Sequence, residues 1–308
     1  MNAYLVLTKL NGSLLNSGLK GAITESNSKS DFYFNLVQDY TTAWTGKKPS
    51  RQQGRGDTRE GDKQHRNAQE GNKGQSNTQE KPNQAETSGA DKSALHEWYE
   101  LLFAQYYDRL SPSSAESYTC ILSSLSALTI GQGQPSVLET HITLHPIYGV
   151  PYLPGTVLKG VAAHYCNRYL GQMDERFCSG GDYYNQLFGS TTQMGSICYH
   201  DALVTPETVG TALRLDVLTP HHQKYNQIRI TKEQQVVSSD AAPHDDDSPV
   251  PIPFISVNAD FKLQLTYIGM SAQAREWLDI AGEILTAAVQ QEGLGGKTNA
   301  GYGRFKVK

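Results

Sequence analysis

The chain has only four cysteines, Cys120, Cys166, Cys178 and Cys198, and no two of them form a Cys-x-x-Cys pair. Neither a zinc site nor a disulfide framework is indicated, and the cysteines read as reduced, buried thiols. There is no run of about eighteen apolar residues that could span a bilayer. The start, Met1-Asn-Ala-Tyr, lacks a basic stretch leading into an apolar one, so the expected compartment is the cytoplasm. No excess of positive charge exists either: the formal net charge is −4, which speaks weakly against a nucleic-acid ligand and leaves the matter to local patches. Between Gly46 and Ala94 there is no Val, Ile, Leu, Met, Phe, Tyr, Trp or Cys. Such a stretch has no apolar surface to offset its ordering entropy, so residues 46–94 are expected to be a disordered polar linker. Its Arg51, Arg55, Arg59 and Arg66 are mixed with acidic residues, as in a solvated tether. No regular element carries a His-x-x-x-His or Asp-x-Asp pair, and Asp245-Asp-Asp247 reads as a solvated loop, so no metal or cofactor is expected.

What the chain does have is concentrated in its last sixteen residues, Gly293-Leu-Gly-Gly-Lys-Thr-Asn-Ala-Gly-Tyr-Gly-Arg-Phe-Lys-Val-Lys308. Five glycines surround a Lys-Thr pair. Glycine admits positive φ and a close backbone approach, so the loop is suited to an anion, with Lys297 adding charge and Thr298 and Asn299 adding donors. Gly296-Lys297-Thr298 resembles the end of a nucleotide-binding P-loop, but Gln291 stands where that motif needs a glycine. The order is also reversed. A P-loop runs from strand to helix, whereas here a helix with a 3.6-residue period from Ser271 to Gln291 precedes the loop and a strand, Tyr302 to Val307, follows it.

Upstream, the pattern predicts a strand at Met1–Thr8 and a helix at Ser30–Thr45 with Phe32, Phe34, Leu36, Val37 and Tyr40 apolar. A helix over Leu95–Leu110 and a serine-rich strand over Tyr118–Thr129 come next. Single strands are expected at Gly195–Val204, Leu213–Leu218 and Phe261–Tyr267. Pro154-Gly155 opens a further helix that Thr156 is expected to cap, leaving first-turn amides for a phosphate. Lys159, His164 and Arg168 make a basic flank along it. The division follows: residues 1–45 packing on a core, 46–94 as linker, and 95–308 as one domain.

These signatures, Pro154-Gly-Thr-Val-Leu-Lys-Gly160 and the Gly293–Gly303 loop, separated by Leu187-Phe-Gly189, Gly195 and Asp201-Ala202, resemble the RAMP superfamily of CRISPR-associated RNA-binding proteins. Asp216-Val-Leu-Thr-Pro-His221-His-Gln-Lys-Tyr225, Glu139–His145 and Ile147-Tyr-Gly-Val-Pro-Tyr152 are similar to the sixth-subunit branch of the Cmr, or type III-B, effector complexes. The resemblance covers Tyr118 to the C-terminus. One position departs from it: the helix start usually reads Pro-Gly-Ser-Ser, and Val157 here loses a hydroxyl. The resemblance implies an α+β, ferredoxin-like or RRM-like fold. It also implies a non-catalytic backbone subunit near the 3′ end of a guide RNA. Its partners would be guide RNA, target RNA and other RAMP subunits, with no membrane.

On that reading the RNA-binding residues are Lys159, His164, Arg168, Gly295, Gly296, Lys297, Thr298, Asn299, Gly301 and Arg304, with Tyr225 and Tyr302 available for stacking. Two alternatives remain open. Some relatives in the superfamily are metal-independent endoribonucleases, and His221-His222 beside Asp216 and Lys224 is a conceivable acid-base set. In an extended segment, however, adjacent histidines point apart, so at most one would serve. The other alternative is a protein-protein adaptor docked through the glycine-rich loop.

Overall fold

A computed structural model describes residues 26–47, 93–110, 116–134, 140–222, 225 and 242–308. The expected strand at Met1–Thr8 and nearly all of the polar linker lie outside these residues. In chain order the elements are α1 (Ser26–Thr45), α2 (Ala94–Leu110), β1 (Ser117–Ser124), β2 (Tyr152–Leu153), α3 (Gly155–Tyr169), α4 (Asp182–Phe188), β3 (Ile197–Tyr199), β4 (Ala202–Val204), α5 (Pro206–Val209), β5 (Leu213–Leu218), β6 (Ile252–Val257), β7 (Asp260–Tyr267), α6 (Ala274–Gln291) and β8 (Phe305–Val307).

The main sheet runs β2-β4-β7-β1-β8, with β3 also paired to β7, and its pairings are antiparallel. Taking β3 and β4 as two halves of one strand, the order is the split β-α-β arrangement of a ferredoxin-like fold, with α3 and α6 as its two helices. The alternation of β1 and β7 explains the core. Leu122 faces Phe261 and Cys120 faces Leu263 in register, and these residues form one cluster with Leu158 and Ala162 of α3 and Leu278, Ile284, Leu285 and Val289 of α6. Each fully buried aliphatic contributes roughly 1.5–3 kcal/mol, so packing rather than helix propensity decides where α6 lies. Gly282 is required on α6 because the Tyr118 ring lies against it where a Cβ would stand.

Three tyrosine hydroxyls of α2 fasten it to the β4 side of the sheet. Tyr99 donates to the Val204 carbonyl at 2.7 Å and Tyr106 to the Asp201 carbonyl at 3.0 Å. The Tyr107 oxygen accepts from the Leu203 amide and donates to the Lys262 carbonyl, inserting a phenol between two residues opposed in the β4–β7 register. These bonds are buried or partly buried, so losing one leaves a strand group unpaired. Phe32, Tyr33, Leu36, Tyr40 and Trp44 of α1 are buried, and α1 packs against the two-stranded β5–β6 sheet and, through the Trp44 ring 5.4 Å from that of Tyr99, against α2. No described helix is long and apolar enough to cross a membrane.

Several sequence expectations are corrected. The single strand expected over Gly195–Val204 begins at Ile197 and is broken at His200-Asp201. The proline-rich stretch leading toward Phe261 contains an unforeseen strand, β6, in which Pro253 faces Val217 in a two-stranded sheet that tolerates a missing donor. The strand expected over Tyr118–Thr129 ends at Ser124, and that over Tyr302–Val307 is confined to β8. Thr156 does not cap α3: its N-cap is Pro154, without a side-chain cap bond from that residue. The capping carboxylate comes from the strand break instead, where Asp201 Oδ1 accepts from the Gly155 amide at 2.6 Å. Gly155 is needed because a Cβ there would run into the Tyr199 carbonyl.

Asp201→Ala should therefore destabilise the protein by about 1 kcal/mol, the usual worth of a helix N-cap, and Gly155→Ala by about 1–3 kcal/mol through overpacking. Equilibrium denaturation measures both; an unchanged midpoint for either variant would contradict this account of the α3 entry.

Candidate RNA-binding site

The glycine-rich loop folds onto the chain segment that follows β1. Gly296 donates to the Thr129 carbonyl at 2.8 Å, and the Thr129 hydroxyl donates back to the Gly296 carbonyl at 2.8 Å. Gly303 donates to Ala127, and Leu294 donates to Gly303, closing the loop at its neck. Glycine is obligatory at that neck: Gly303 has φ +70°, and a Cβ would run into the Leu294 carbonyl oxygen. Within the loop, Thr298–Ala300 forms a single 3-10 turn, with Ala300 and Tyr302 donating to the Lys297 carbonyl and Gly301 to the Thr298 carbonyl.

The loop's glycines thus serve mainly the fold. The amides of Gly296, Gly301, Tyr302 and Gly303 are already committed to backbone carbonyls. Among the described residues, those of Gly295, Lys297, Thr298 and Asn299 have no hydrogen-bond partner. Lys297 itself has φ +58°, a left-handed conformation that costs a non-glycine residue about 1 kcal/mol or more. Its side chain is exposed and has no ion pair among the described residues. A strained lysine and a run of free amides therefore occur together at the loop's tip.

Tyr302 and Arg304 are turned to other partners. The Tyr302 hydroxyl donates to Asp216 Oδ2 of β5 at 2.7 Å, and its ring lies 6.2 Å from that of Phe254. Burial first, then the hydrogen bond to and charge of Asp216, push its phenol up to about 12. Arg304 NH1 donates to the Gln291 carbonyl at 2.7 Å, capping the end of α6, while its amide donates to Ser126 Oγ. Both side chains tie the loop to its surroundings.

The structure divides the basic flank of α3. His164 Nδ1 lies 3.1 Å from Glu292 Oε2 and Arg168 NH1 lies 3.6 Å from Glu292 Oε1, beside the loop's first glycine. Lys159 sits apart, exposed, on a cavity of about 220 Å³ lined also by Met194, Ile197 and Ile268. The first turn of α3, expected to welcome a phosphate, already holds the Asp201 carboxylate, which satisfies one amide and opposes a second anion.

His221 and His222 follow β5. His222 has φ +58°, so the segment is not extended and the two rings come within 6.1 Å, against the expectation that they diverge. The carboxylate partner is also different: Asp216 binds Tyr302, and His222 Nδ1 lies 2.8 Å from Asp247 Oδ2. The hydrogen bond from His222, then that from the His244 amide, hold the Asp247 carboxyl below its ordinary range. Tyr225 is exposed, and Lys224 and the four linker arginines lie outside the described residues. Among the described residues no group of three or more His, Cys, Asp or Glu side chains is placed to hold a metal ion. Sequence reasoning missed Asp201 and Glu292 as partners. Asp201-Ala202 stood out only as a family mark, and nothing in sequence separates Glu292 from any other helix-end glutamate.

A ferredoxin-like sheet whose last helix enters the last strand through a glycine-rich loop defines a class, and the chain belongs to it: the RAMP superfamily family model matches residues 121–306. A relative from Pyrococcus furiosus (strain ATCC 43587 / DSM 3638 / JCM 8422 / Vc1), the CRISPR system Cmr subunit Cmr6, is 26% identical over 263 residues, which span 68% of this chain and 73% of the relative. The chain is also similar to one in the cryo-EM structure of the type III-B Cmr-beta bound to cognate target RNA. There the TM-score is 0.49 at 18% identity, over 69% of this chain and 66% of that one. The crystal structure of Cmr6 from Pyrococcus furiosus gives a TM-score of 0.38 at 25% identity, over 63% of this chain and 99% of that one. The family assignment rests on the family model.

The Tyr302–Asp216 bond generates a pH prediction. A phenol raised from about 10 to about 12 contributes stability that is complete below pH 10 and is lost as pH rises toward 12. Tyr302→Phe should remove that increment, so the difference in stability between wild type and variant should shrink across this window. A difference that stays constant from pH 9 to 12 would contradict the assignment.

Proposed function

We propose that this chain is an RNA-binding backbone subunit of a type III-B CRISPR RNA-guided effector complex, acting in antiviral defence in the cytoplasm. It holds the guide RNA near its 3′ end by the sugar-phosphate backbone and catalyses no step itself. The class is supported by RAMP membership and by the Cmr6 relative. One observation carries the site: Lys297, strained, exposed and unpaired, next to the free amides of Gly295, Thr298 and Asn299. Free N–H groups and an ammonium are what a phosphate oxygen needs, and neither reads a base, so recognition is largely independent of sequence. Gly296 and Gly301 shape the tip, Arg304 braces it, His164 and Arg168 extend the basic surface beside it, and Lys159 is a separate backbone contact at the other end of α3. Tyr225, exposed, and Tyr302, partly buried, supply rings for stacking. Guide RNA, target RNA and the neighbouring RAMP subunits are the partners, with residues 95–308 as the binding domain, 1–45 packed on it and 46–94 as linker.

A second reading, a metal-independent endoribonuclease, is favoured by the His222–Asp247 pair with the His221 ring 6.1 Å away. A carboxylate on Nδ1 orients a histidine for acid-base work. On this reading the purified chain shortens RNA and His222→Ala abolishes the cleavage.

The deciding experiment titrates labelled single-stranded RNA with the purified chain at several salt concentrations and runs the same samples on a gel. Lys297→Ala is expected to weaken binding roughly tenfold, to lower the salt slope by about 0.7 per lost phosphate, and to leave the RNA uncut. Wild-type affinity and slope in the variant would remove the loop from the interface and favour the adaptor role.

A further inference from the structure

Glu292 occupies an electrostatically poor position. It is the C-cap of α6, where a carboxylate meets the negative end of the helix dipole. It is kept there by α3: His164 Nδ1 faces Oε2 at 3.1 Å and Arg168 NH1 faces Oε1 at 3.6 Å. The carboxylate is the covered member, 18% exposed, whereas the His164 and Arg168 side chains are 59% and 58% exposed. At 3.6 Å the guanidinium is attracted rather than hydrogen-bonded, so its planar fork of donors is not committed. Gly293 follows directly and opens the loop that carries Lys297.

We infer that His164 and Arg168 form a second phosphate subsite beside the loop, and that Glu292 is its built-in occupant, displaced when RNA binds. The inference rests on the loop being a phosphate cradle. Two carboxylate oxygens, each facing one donor, copy the two-oxygen edge that a phosphate presents to such a pair. Exchange is favourable in direction. The pair given up is solvent-exposed on its His164 and Arg168 side and long at Arg168, and therefore weak, whereas an arginine–phosphate contact is charge-assisted and bidentate. The displaced carboxylate is free to turn to water. The subsite demands a ligand with at least two phosphates, one at Lys297 and one at Arg168, and so selects a strand of RNA over a mononucleotide.

Glu292→Gln removes the charge and keeps the shape. The variant is expected to bind labelled single-stranded RNA several-fold more tightly than wild type at about 0.1 M salt, with a salt slope steeper by about 0.7. The gain should vanish when Arg168→Ala is added. Asp279→Asn removes an equal charge from the same helix, at its pair with Arg275, and should change little. Unchanged or weaker binding by Glu292→Gln, or an equal gain from Asp279→Asn, overturns the subsite, provided that a thermal melt shows the variant folded. If Lys297→Ala also leaves wild-type binding unaffected, the cradle itself is refuted. If Lys297→Ala weakens binding while Glu292→Gln fails to strengthen it, the cradle stands and Glu292 is only a strut between α3 and α6.

Discussion

The contact between the Asp201 carboxylate and the first amide of α3 organises much of this molecule. Asp201 is available only because the strand breaks between Tyr199 and Ala202, and the break lets Gly155 approach the Tyr199 carbonyl as no larger residue could. Tyr106 of α2 then finds the Asp201 carbonyl, while Tyr99 and Tyr107 find the carbonyls of Val204 and Lys262. With its N-terminus fixed, α3 lies along α6, and its far end brings His164 and Arg168 to Glu292. A helix cap at one end of α3 thereby sets the basic groups at the other.

The loop shows how rigidity and free donors are reconciled. A flexible glycine run would lose entropy on holding a phosphate. Here the neck is closed by the Leu294–Gly303 and Gly303–Ala127 bonds, the middle is pinned by reciprocal bonds between Gly296 and Thr129, and Tyr302 and Arg304 anchor the exit. What remains unbonded is the tip, where backbone strain at Lys297 persists because the surrounding bonds over-determine it. Glycine is therefore used first for close backbone packing, and the free donors at the tip come mostly from residues that are not glycine.

The sequence by itself determined the main helices and sheet strands and their order, but not β6 or the break between β3 and β4. The 3.6-residue period of α6, the alternation of β1 and β7 and the glycines around Lys297 are local properties, legible because side-chain periodicity follows directly from helix and strand geometry. Family resemblance added the class. Partnerships between residues far apart in the chain were decided only by the tertiary structure. Asp201 rather than Thr156 caps α3, Asp216 takes the Tyr302 hydroxyl rather than serving a histidine, and Glu292 gathers His164 and Arg168 while Lys159 stands apart. Each is a choice among several chemically adequate partners, settled by which carboxylate the sheet and helix packing brings within about 3 Å. Composition and spacing along the chain carry no information about that distance.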